Sequence, residues 1–391
     1  MMAMVAEPET AAHPAARAWI HRLSIRSFRN LERVEMTPGA EGLAVIGDNG
    51  QGKSNFLEAI YYVQLLRSFR GARDRDLTTF GAPGFHLAAS THGAHVHEVA
   101  VGFEAATARK RVTLDGVDRA RLADALGALP AVIFSPQDVT LVTGAPSARR
   151  RYLDILLSLT SRPYLLALQR YRAALARRNA AMRAPPSSRR DLDARVAVWE
   201  PTLAESGARL WTARRRWSEQ HAGTYASLCA AIGEEGSARL RYTSALGDER
   251  DAETQLLELL ERKRAMDIRR GLTHAGPHRD DLELTLAAPH GPPRDLRTYG
   301  SAGQQRTAAI ALRLLEAATL RAAAACDPVV LLDDPFAELD TRRAARILEL
   351  LTTAGRGQTM LAVPRPSDIP AGLTRLERWT ITGGVLAPAP P

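Results

Sequence analysis

The chain has 391 residues, 45% of them hydrophobic and 24% charged, a composition typical of a folded globular protein and not of a disordered one. Its longest apolar runs, such as Val329–Leu332, are far too short to cross a bilayer, and Ala11–Ile20 lacks the apolar core of a secretory signal. The two cysteines, Cys229 and Cys326, are widely separated, which argues against a disulfide framework and fits a reducing, cytoplasmic location.

The formal net charge is +9, and such a basic excess predicts a polyanionic partner such as nucleic acid. Nearly all the cations are arginines, because the chain contains only the lysines Lys53, Lys110 and Lys263. This bias is open to two interpretations, coding composition or phosphate recognition. One of the three lysines nevertheless lies where a phosphate-binding loop requires one.

The first predicted site is a glycine-rich loop between a strand and a helix. Leu43–Ile46 is a continuous apolar run that predicts a buried parallel strand, and Asn55–Leu66 is compatible with a helix. The order strand, glycine loop, helix is that of a Walker A motif. The residues of the loop are Gly47, Asp48, Asn49, Gly50, Gln51, Gly52, Lys53 and Ser54.

The chemistry of ATP binding explains these residue types. Glycines allow backbone amides to point at phosphate oxygens, and the start of the following helix adds positive potential. Lys53 is predicted to reach the β and γ phosphates, and the Ser54 hydroxyl is predicted to bind Mg²⁺. The alternative is a chance glycine turn in front of a helix, so a second element is needed.

Between the loop and that second element, the sequence predicts a β meander and a turn. Phe85–Asp115 alternates apolar and polar residues and is rich in turn formers, which favours antiparallel strands. Val132–Asp138 contains Gln137, a candidate for the glutamine that senses the metal and contributes to catalysis. An exposed glutamine in a turn is the common alternative.

A helical pattern from Ser147 to Gly233 predicts an antiparallel hairpin, because two stripes at heptad spacing are separated by a short break at Pro185–Ser188. Pro201 is expected to kink or restart the second helix. The stripes are Tyr164, Leu168, Tyr171, Leu175, Arg178 and Met182, then Val196, Trp199, Leu203, Ser206, Leu210, Ala213 and Trp217. The arginine clusters of this arm are each compatible with a solvated surface, and together they are the best candidate for contact with a phosphate backbone. They are Arg149–Arg151, Arg177-Arg178, Arg189-Arg190 and Arg214–Arg216.

Further along the chain, Tyr299–Arg306 introduces an alanine-rich helix that runs to about Ala325. The segment resembles the signature motif of ABC-type ATPases, with Ser301, Gly303 and Gln304 as the nucleotide-binding candidates. In that class the motif contacts the nucleotide held by a partner, so the resemblance implies an ATP-dependent homodimer. Ser301 as a purely structural helix cap is the alternative.

Val329–Leu332 is the second buried-strand pattern, and it ends in Asp333 and Asp334. Carboxylates at the end of such a strand face the ligand crevice of an open α/β sheet. Asp333 is predicted to hold Mg²⁺, and Asp334 to orient or deprotonate the attacking water. A helix cap or turn is the alternative. Pro335–Asp340 occupies the place of the D-loop, and Pro364–Pro366 stands where a sensor residue is usual.

A second group of polar residues has a weaker claim to chemistry. His274, His278, Asp280 and Asp281 suggest a metal site, but Gly276 and Pro277 interrupt any helix that would align the histidines. A structural role or a role between two heads is therefore preferred.

Taken together, these motifs resemble the RecF family of ABC-type ATPases, which are related to SMC and Rad50 proteins. The resemblance covers roughly Trp19 to Ile381. Its further motifs are Leu23–Leu31 with Ser27–Asn30, Phe134–Asp138, Pro146–Asp154, Tyr164–Asn179 and Gly276–Asp281. Two departures are Ser54, where threonine is usual, and Leu66–Asp74, which lacks the expected Ser-His-Arg run.

The family resemblance implies an α/β fold: an ABC-type P-loop ATPase head with an antiparallel β subdomain, interrupted by a helical, coiled-coil-like arm. The expected boundaries are a tail at 1–17, the first part of the head at 18–147, the arm at 148–272, the second part of the head at 273–382 and a tail at 383–391, and both tails are expected to be disordered.

The same resemblance implies a cytoplasmic protein, not bound to a membrane, that binds ATP, Mg²⁺ and DNA at gaps and single-strand/double-strand junctions. It further implies action with RecO and RecR to help RecA replace single-strand-binding protein, and a weak DNA-stimulated ATPase that acts as a dimerisation switch. Two other functions compete with this one. The first is an ATPase subunit of a membrane transporter or another SMC-like machine, which DNA-stimulated hydrolysis distinguishes. The second is a P-loop nucleotide kinase, which phosphoryl transfer to an added acceptor would reveal.

Overall fold

The computed structural model describes residues 16–17, 19–93, 95–183, 188–247, 251–288, 291–336, 340–354 and 357–390. Its strands are β1 (Ala16–Arg17), β2 (Trp19–Phe28), β3 (Leu31–Met36), β4 (Gly42–Ile46), β5 (Gly84–His92), β6 (Glu98–Glu104), β7 (Arg109–Leu114), β8 (Val117–Asp118), β9 (Ala131–Phe134), β10 (Ser237–Thr243), β11 (Asp281–Ala287), β12 (Pro293–Asp295), β13 (Cys326–Asp327), β14 (Val329–Asp333), β15 (Thr359–Val363), β16 (Glu377–Thr382) and β17 (Val385–Pro388). Its α-helices are α1 (Lys53–Leu65), α2 (Asp74–Leu77), α3 (Thr140–Thr143), α4 (Pro146–Thr160), α5 (Arg162–Arg183), α6 (Arg189–Ala197), α7 (Glu200–Ile232), α8 (Ala252–Arg270), α9 (Leu296–Tyr299), α10 (Ala302–Ala324) and α11 (Thr341–Ala354).

A six-stranded sheet in the order β17-β16-β4-β15-β14-β9 forms the centre of the molecule, and β17 is its only antiparallel member. The strands predicted at Leu43–Ile46 and Val329–Leu332 are confirmed as β4 and β14, and every residue of both is buried. Because β4, β9 and β14 are parallel, the segments that follow them emerge at one edge of the sheet.

The two faces of this sheet pack against different layers. On one face, Val45, Ile133 and Leu331 belong to a hydrophobic core shared with α1 and the antiparallel sheet. On the other, their neighbours Ala44 and Leu332 belong to a core shared with α4, α5, α7 and α10. Burial on both faces explains why these strands are continuous apolar runs without polar alternation.

The second six-stranded sheet is antiparallel, in the order β3-β2-β5-β6-β7-β8, and it confirms the meander predicted over Phe85–Asp115. The buried side chain of Gln358 joins this sheet to the parallel one. Its amide oxygen accepts from the Ile20 amide at 2.8 Å, and its amide nitrogen donates to the Ile20 and Gly39 carbonyls at 2.9 and 2.8 Å. The two sheets and the helical layer confirm the predicted α/β fold class.

The predicted helical hairpin is present as α5 and α7, and Pro201 lies in the first turn of α7, where a new helix begins. Their antiparallel packing follows from two contacts: Arg178 near the end of α5 meets Glu200 at the start of α7, while Tyr164 near the start of α5 meets Arg214 further along α7. The second half of α7 also packs on α10, where the Trp217 indole donates to the Thr319 hydroxyl at 3.1 Å.

Three arginines that the sequence placed on a basic surface lie inside the protein. Arg178 is 0% exposed and forms ion pairs of 2.9 Å with Glu200 and Asp267. Arg149 and Arg214 are also buried, where carboxylates neutralise them. The prediction of a phosphate-contacting surface is therefore wrong for these three residues.

The predicted tails are also wrong where the structure describes them. Val385–Pro388 is β17, which pairs with β16 across Gly383 and Gly384, and Ala16–Arg17 pairs with β13. Both glycines have positive φ, +57° and +86°, as a two-residue hairpin turn requires. The Gly-Gly pair between two strand-forming segments was the sequence signal for this hairpin.

Among the described residues, no helix has both the length and the apolar character needed to cross a membrane.

Replacing Arg178 with methionine should destabilise the fold, because it leaves the buried carboxylates of Glu200 and Asp267 short of a counter-charge. We expect the free energy of unfolding to fall by about 3 kcal/mol or more. Chemical denaturation measures it. Arg209→Met is the matched control, because Arg209 is 64% exposed and pairs with Glu205 on the surface of the same arm. That change should cost under about 1 kcal/mol, and equal losses in the two variants would refute the structural role of Arg178.

Candidate nucleotide-binding site

The glycine loop leaves β4 at the edge of the parallel sheet and ends in the first turn of α1. Gly50 and Gly52 have φ of +82° and +116°, a region that favours glycine. A Cβ atom at Gly52 would lie 2.8 Å from the Asn30 side-chain amide. The Lys53 ammonium donates to the carbonyls of Gly47 and Asp48 at 2.6 and 2.9 Å, so it lies across the loop. Burial lowers its pKa, which nearby carboxylates partly offset.

Two of the three residues predicted at the metal site, Ser54 and Asp333, meet at the start of α1. The Ser54 hydroxyl donates to Oδ1 of Asp333 at 2.7 Å, although the residues are 279 positions apart. Burial raises the pKa of Asp333, whereas the Ser54 hydrogen bond and nearby cations lower it. A hydroxyl beside a carboxylate supplies the oxygen ligands that Mg²⁺ prefers. The donor set therefore fits the predicted ion, and its binding would favour the ionised form of Asp333.

Asp334 follows Asp333 with an unusual backbone conformation. Its φ is +47°, and its amide donates to the Ala362 carbonyl on β15 at 3.0 Å. Burial and the neighbouring carboxylate of Asp333 raise its pKa. A carboxyl whose pKa is raised is a better proton acceptor, the property required of a residue that activates water.

These residues line one cleft of about 380 Å³. Gln137 belongs to it, because the short 3-10 helix Pro136–Val139 follows β9 at the same edge of the sheet. Asp138 fixes this turn by pairing with Arg313 of α10 at 2.7 Å. The lining residues are Asn49, Gly50, Gly52, Lys53, Ser54, Asn55, Arg70, Pro136, Gln137, Asp333 and Asp334.

Arg70 is a cleft residue that the sequence analysis did not identify. Its guanidinium lies 3.5 Å from Oδ2 of Asp333 and 3.9 Å from Glu58. It belongs to the segment Leu66–Asp74, which departs from the expected family pattern. The only sequence signal for this role was an arginine shortly after the Walker A helix. The direction of its side chain depends on tertiary contacts, which the sequence does not show.

Gln51 of the glycine loop is braced from outside the loop. Its carbonyl accepts from the Asn30 side-chain amide and from the Gly384 backbone amide, both at 2.9 Å. Its side-chain oxygen accepts from the Gly383 amide at 2.6 Å. The C-terminal hairpin therefore supports the loop directly.

The serine-capped start of α10 does not line this cleft. Ser301 is exposed and caps α10, where its hydroxyl accepts from the Gln304 amide at 3.3 Å and the Gln304 side chain accepts from the Ser301 amide at 3.0 Å. Ser301, Gly303 and Gln304 are not among the described residues that line the cleft around Lys53. Gln304 instead lines a different cleft, with Tyr299 and Arg343.

Other predicted elements have less defined roles. In the D-loop segment, residues 337–339 lie outside the described residues, and Asp340 accepts from the Arg343 amide at the start of α11. The turn in place of the sensor is closed by a hydrogen bond from the Arg365 amide to Asp368. The Asp368 carboxylate also helps to raise the pKa of Asp334, so this turn acts electrostatically on the cleft.

The four residues weighed as metal ligands instead make contacts between the arm and the head. His278 shares a 2.6 Å hydrogen bond with the Tyr171 hydroxyl, and burial lowers its pKa to about 4. His274 contacts Asp267, and Asp281 forms an ion pair with Arg149 at 2.7 Å. Asp280 accepts from the Tyr242 hydroxyl.

Ser301, Gly303 and Gln304 are not among the described residues that line the cleft of the glycine loop, as expected for an ABC-type ATPase, in which a second copy supplies this helix, and not for a nucleotide kinase. The fold and the site therefore define an ATPase head of the ABC type. The family model described as RecF/RecN/SMC N terminal domain matches residues 19–363.

Individual relatives narrow this class. The DNA replication and repair protein RecF of Roseiflexus castenholzii is 35% identical, over 95% of this chain and 100% of the relative, and that of Acidothermus cellulolyticus is 37% identical over 90% and 96%. The chain belongs to the RecF family.

Solved structures give the same result. The structure described as the recombination mediator protein RecF-ATP in the RecFOR pathway is 26% identical, with a TM-score of 0.85, and covers 97% of this chain and 100% of that one. An Smc head domain from Pyrococcus furiosus, 18% identical with a TM-score of 0.56 over 94% of this chain and 95% of its own, shares the fold.

The bracing of Gln51 can be tested with adjacent glycines. A Cβ atom at Gly384 would lie 1.9 Å from the Asn30 carbonyl oxygen, whereas at Gly383 it would meet nothing within 4 Å. Gly384→Ala should displace the hairpin and weaken nucleotide binding about tenfold, the effect of losing one or two hydrogen bonds. Gly383→Ala, which also has positive φ, should stay within about threefold of the parent. Titration with a fluorescent ATP analogue measures both, and equal affinities would refute the bracing role.

Proposed function

We propose that this chain binds ATP with Mg²⁺ in the cleft around Lys53. The amides of Gly47–Gly52 and the N-terminus of α1 would face the phosphates, and Lys53 would turn from the loop carbonyls to the β and γ phosphates. Ser54 and Asp333 would hold the ion, with Gln137 beside it. The RecF structure described with ATP supports this assignment.

The second part of the proposal is an ATP-dependent homodimer. Its main support is the position of Ser301, exposed at the start of a 23-residue helix and apart from the cleft of its own chain. The free amides and the positive end of such a helix attract an anion. The triphosphate held by one chain would therefore be closed by Ser301, Gly303 and Gln304 of a second copy.

Hydrolysis would then separate the two copies. Asp334 is the candidate to orient or deprotonate the attacking water, because it lies at the cleft and its raised pKa favours proton acceptance. The expected activity is a weak ATPase that DNA stimulates. ATP would act as a switch for assembly.

The biological role that fits this switch is recombination mediation in DNA replication and repair. The relatives' names, the RecFOR pathway of the matched structures and the net charge of +9 support it. We propose that the ATP-bound dimer binds gapped or junction DNA and acts with RecO and RecR to load RecA in the cytoplasm.

Nucleotide binding is tested by Lys53→Met. Loss of charge-assisted hydrogen bonds to phosphate should weaken ATP binding by roughly 10- to 100-fold. Lys263→Met is a matched control, because Lys263 lies on α8 and its ammonium contacts the His274 carbonyl. Calorimetric titration should show parental affinity for the control, and unchanged affinity for Lys53→Met would exclude this cleft.

Dimerisation is tested by Ser301→Arg. The variant should bind ATP nearly normally, because Ser301 does not line its own cleft, but should remain monomeric with ATP in light scattering. Ser188→Arg alters a comparable exposed capping serine, at α6, and should dimerise like the parent. An ATP-dependent dimer of the Ser301 variant would contradict the proposal.

A further inference from the structure

The loop that joins α1 to α2 carries an unusual density of positive charge. Its residues 67–73 contain three arginines, Arg67, Arg70 and Arg73. The loop lies against the arm: a Cβ atom built on Gly71 would be 3.7 Å from the Arg151 guanidinium of α4. Arg67 also lies near Arg151 and near Arg172 of α5. We call Arg67, Arg151 and Arg172, which cluster where this loop of the head meets α4 and α5, the head patch.

The head patch is poorly neutralised by the protein. Among the described residues, no carboxylate forms a salt bridge with Arg67 or Arg151, and the one acid that attracts Arg67 is the buried Asp154. Arg172 pairs with Asp154 at 2.8 Å, but that acid is buried and is shared with Arg214. Partial desolvation and the adjacent guanidiniums of Arg151 and Arg172 lower the pKa of Arg67. Crowded cations of this kind repel one another, so an added polyanion would relieve the repulsion.

Two exposed arginines elsewhere differ from the head patch. Arg111 pairs with Asp118 on the antiparallel sheet, and Arg241 pairs with Glu283 on the small sheet. Both side chains are more than 70% exposed, yet each has a carboxylate partner. They are therefore suitable controls, because the protein already neutralises their charge.

The head patch also adjoins the nucleotide cleft. Arg70, in the same loop, contacts Asp333 of that cleft. Arg151 lines a neighbouring cavity of about 430 Å³ that Phe69, Tyr152 and Gln137 also line. A polyanion bound to the patch would therefore lie beside the loop whose Arg70 contacts Asp333, a proposed Mg²⁺ ligand.

We propose that the head patch binds the phosphate backbone of DNA. The inference rests on the proposed function, and it places a DNA contact beside the nucleotide cleft, where the head loop meets α4 and α5 and exposed guanidiniums can meet phosphates. Of the arginine cluster predicted at Arg149–Arg151, it keeps the exposed Arg151 and leaves out the buried Arg149.

The test is the salt dependence of binding to gapped DNA, with ATP and the full chain. Arg67→Ala/Arg151→Ala should weaken binding to different DNA sequences equally and reduce the slope of log K against log salt by about 1.8, two contacts at about 0.9 each. Arg111→Ala/Arg241→Ala removes the same charge and should leave the slope unchanged. Arg67→Lys/Arg151→Lys keeps both charges and should retain most of the slope. This variant therefore distinguishes a loss of charge from a failure to fold.

Each other outcome has a distinct meaning. A parent protein without salt-dependent DNA binding would refute the proposed function itself. A parent that binds, with the alanine variant unchanged in slope, would refute only the head patch. If the alanine variant kept its DNA binding but no longer bound poly-L-glutamate, the head-patch proposal would also be overturned. The surface would then bind an acidic protein segment and not DNA.

Discussion

Parallel pairing of β4, β14 and β9 is the constraint on which the nucleotide cleft depends. Each strand ends at the same edge of the sheet, so the glycine loop, Asp333 and the turn of Gln137 converge although long stretches of sequence separate them. The burial of both sheet faces fixes this arrangement, because a shifted strand would expose apolar residues on one face or the other. The 2.7 Å hydrogen bond between Ser54 and Asp333 is the local result.

Ser301, Gly303 and Gln304 at the start of α10 are not among the described residues that line that cleft. α10 packs along the helical face of the sheet, where Arg306 lowers the pKa of Asp334 and Arg313 pairs with Asp138 of the Gln137 turn. On the proposed assignment, one chain would contain both halves of a nucleotide site without joining them. A second copy is the simplest way to complete it, and the head patch would place DNA on the cleft side of each copy.

Strong local patterns were sufficient to predict the buried strands, the meander, the hairpin and the grouping of Lys53, Ser54 and Asp333. Long-range contacts were not predictable in the same way. Arg178 fitted a heptad stripe, but its burial depends on ion pairs with Glu200 and Asp267. Asp267 lies on α8, outside the hairpin of α5 and α7. The bracing of Gln51 by Gly383 and Gly384 joins residues more than 330 positions apart.

The most direct test of the shared site is complementation between two defective chains. Lys53→Met lacks the lysine proposed to bind phosphate, and Ser301→Arg lacks the serine proposed to close the partner's site. A mixed dimer would contain one intact site, formed by Lys53 of one chain and Ser301 of the other. Native mass spectrometry with ATP should therefore detect mixed dimers and almost no dimers of either variant alone. Absence of mixed dimers, under conditions in which the parent chain dimerises, would contradict a nucleotide site shared between two copies.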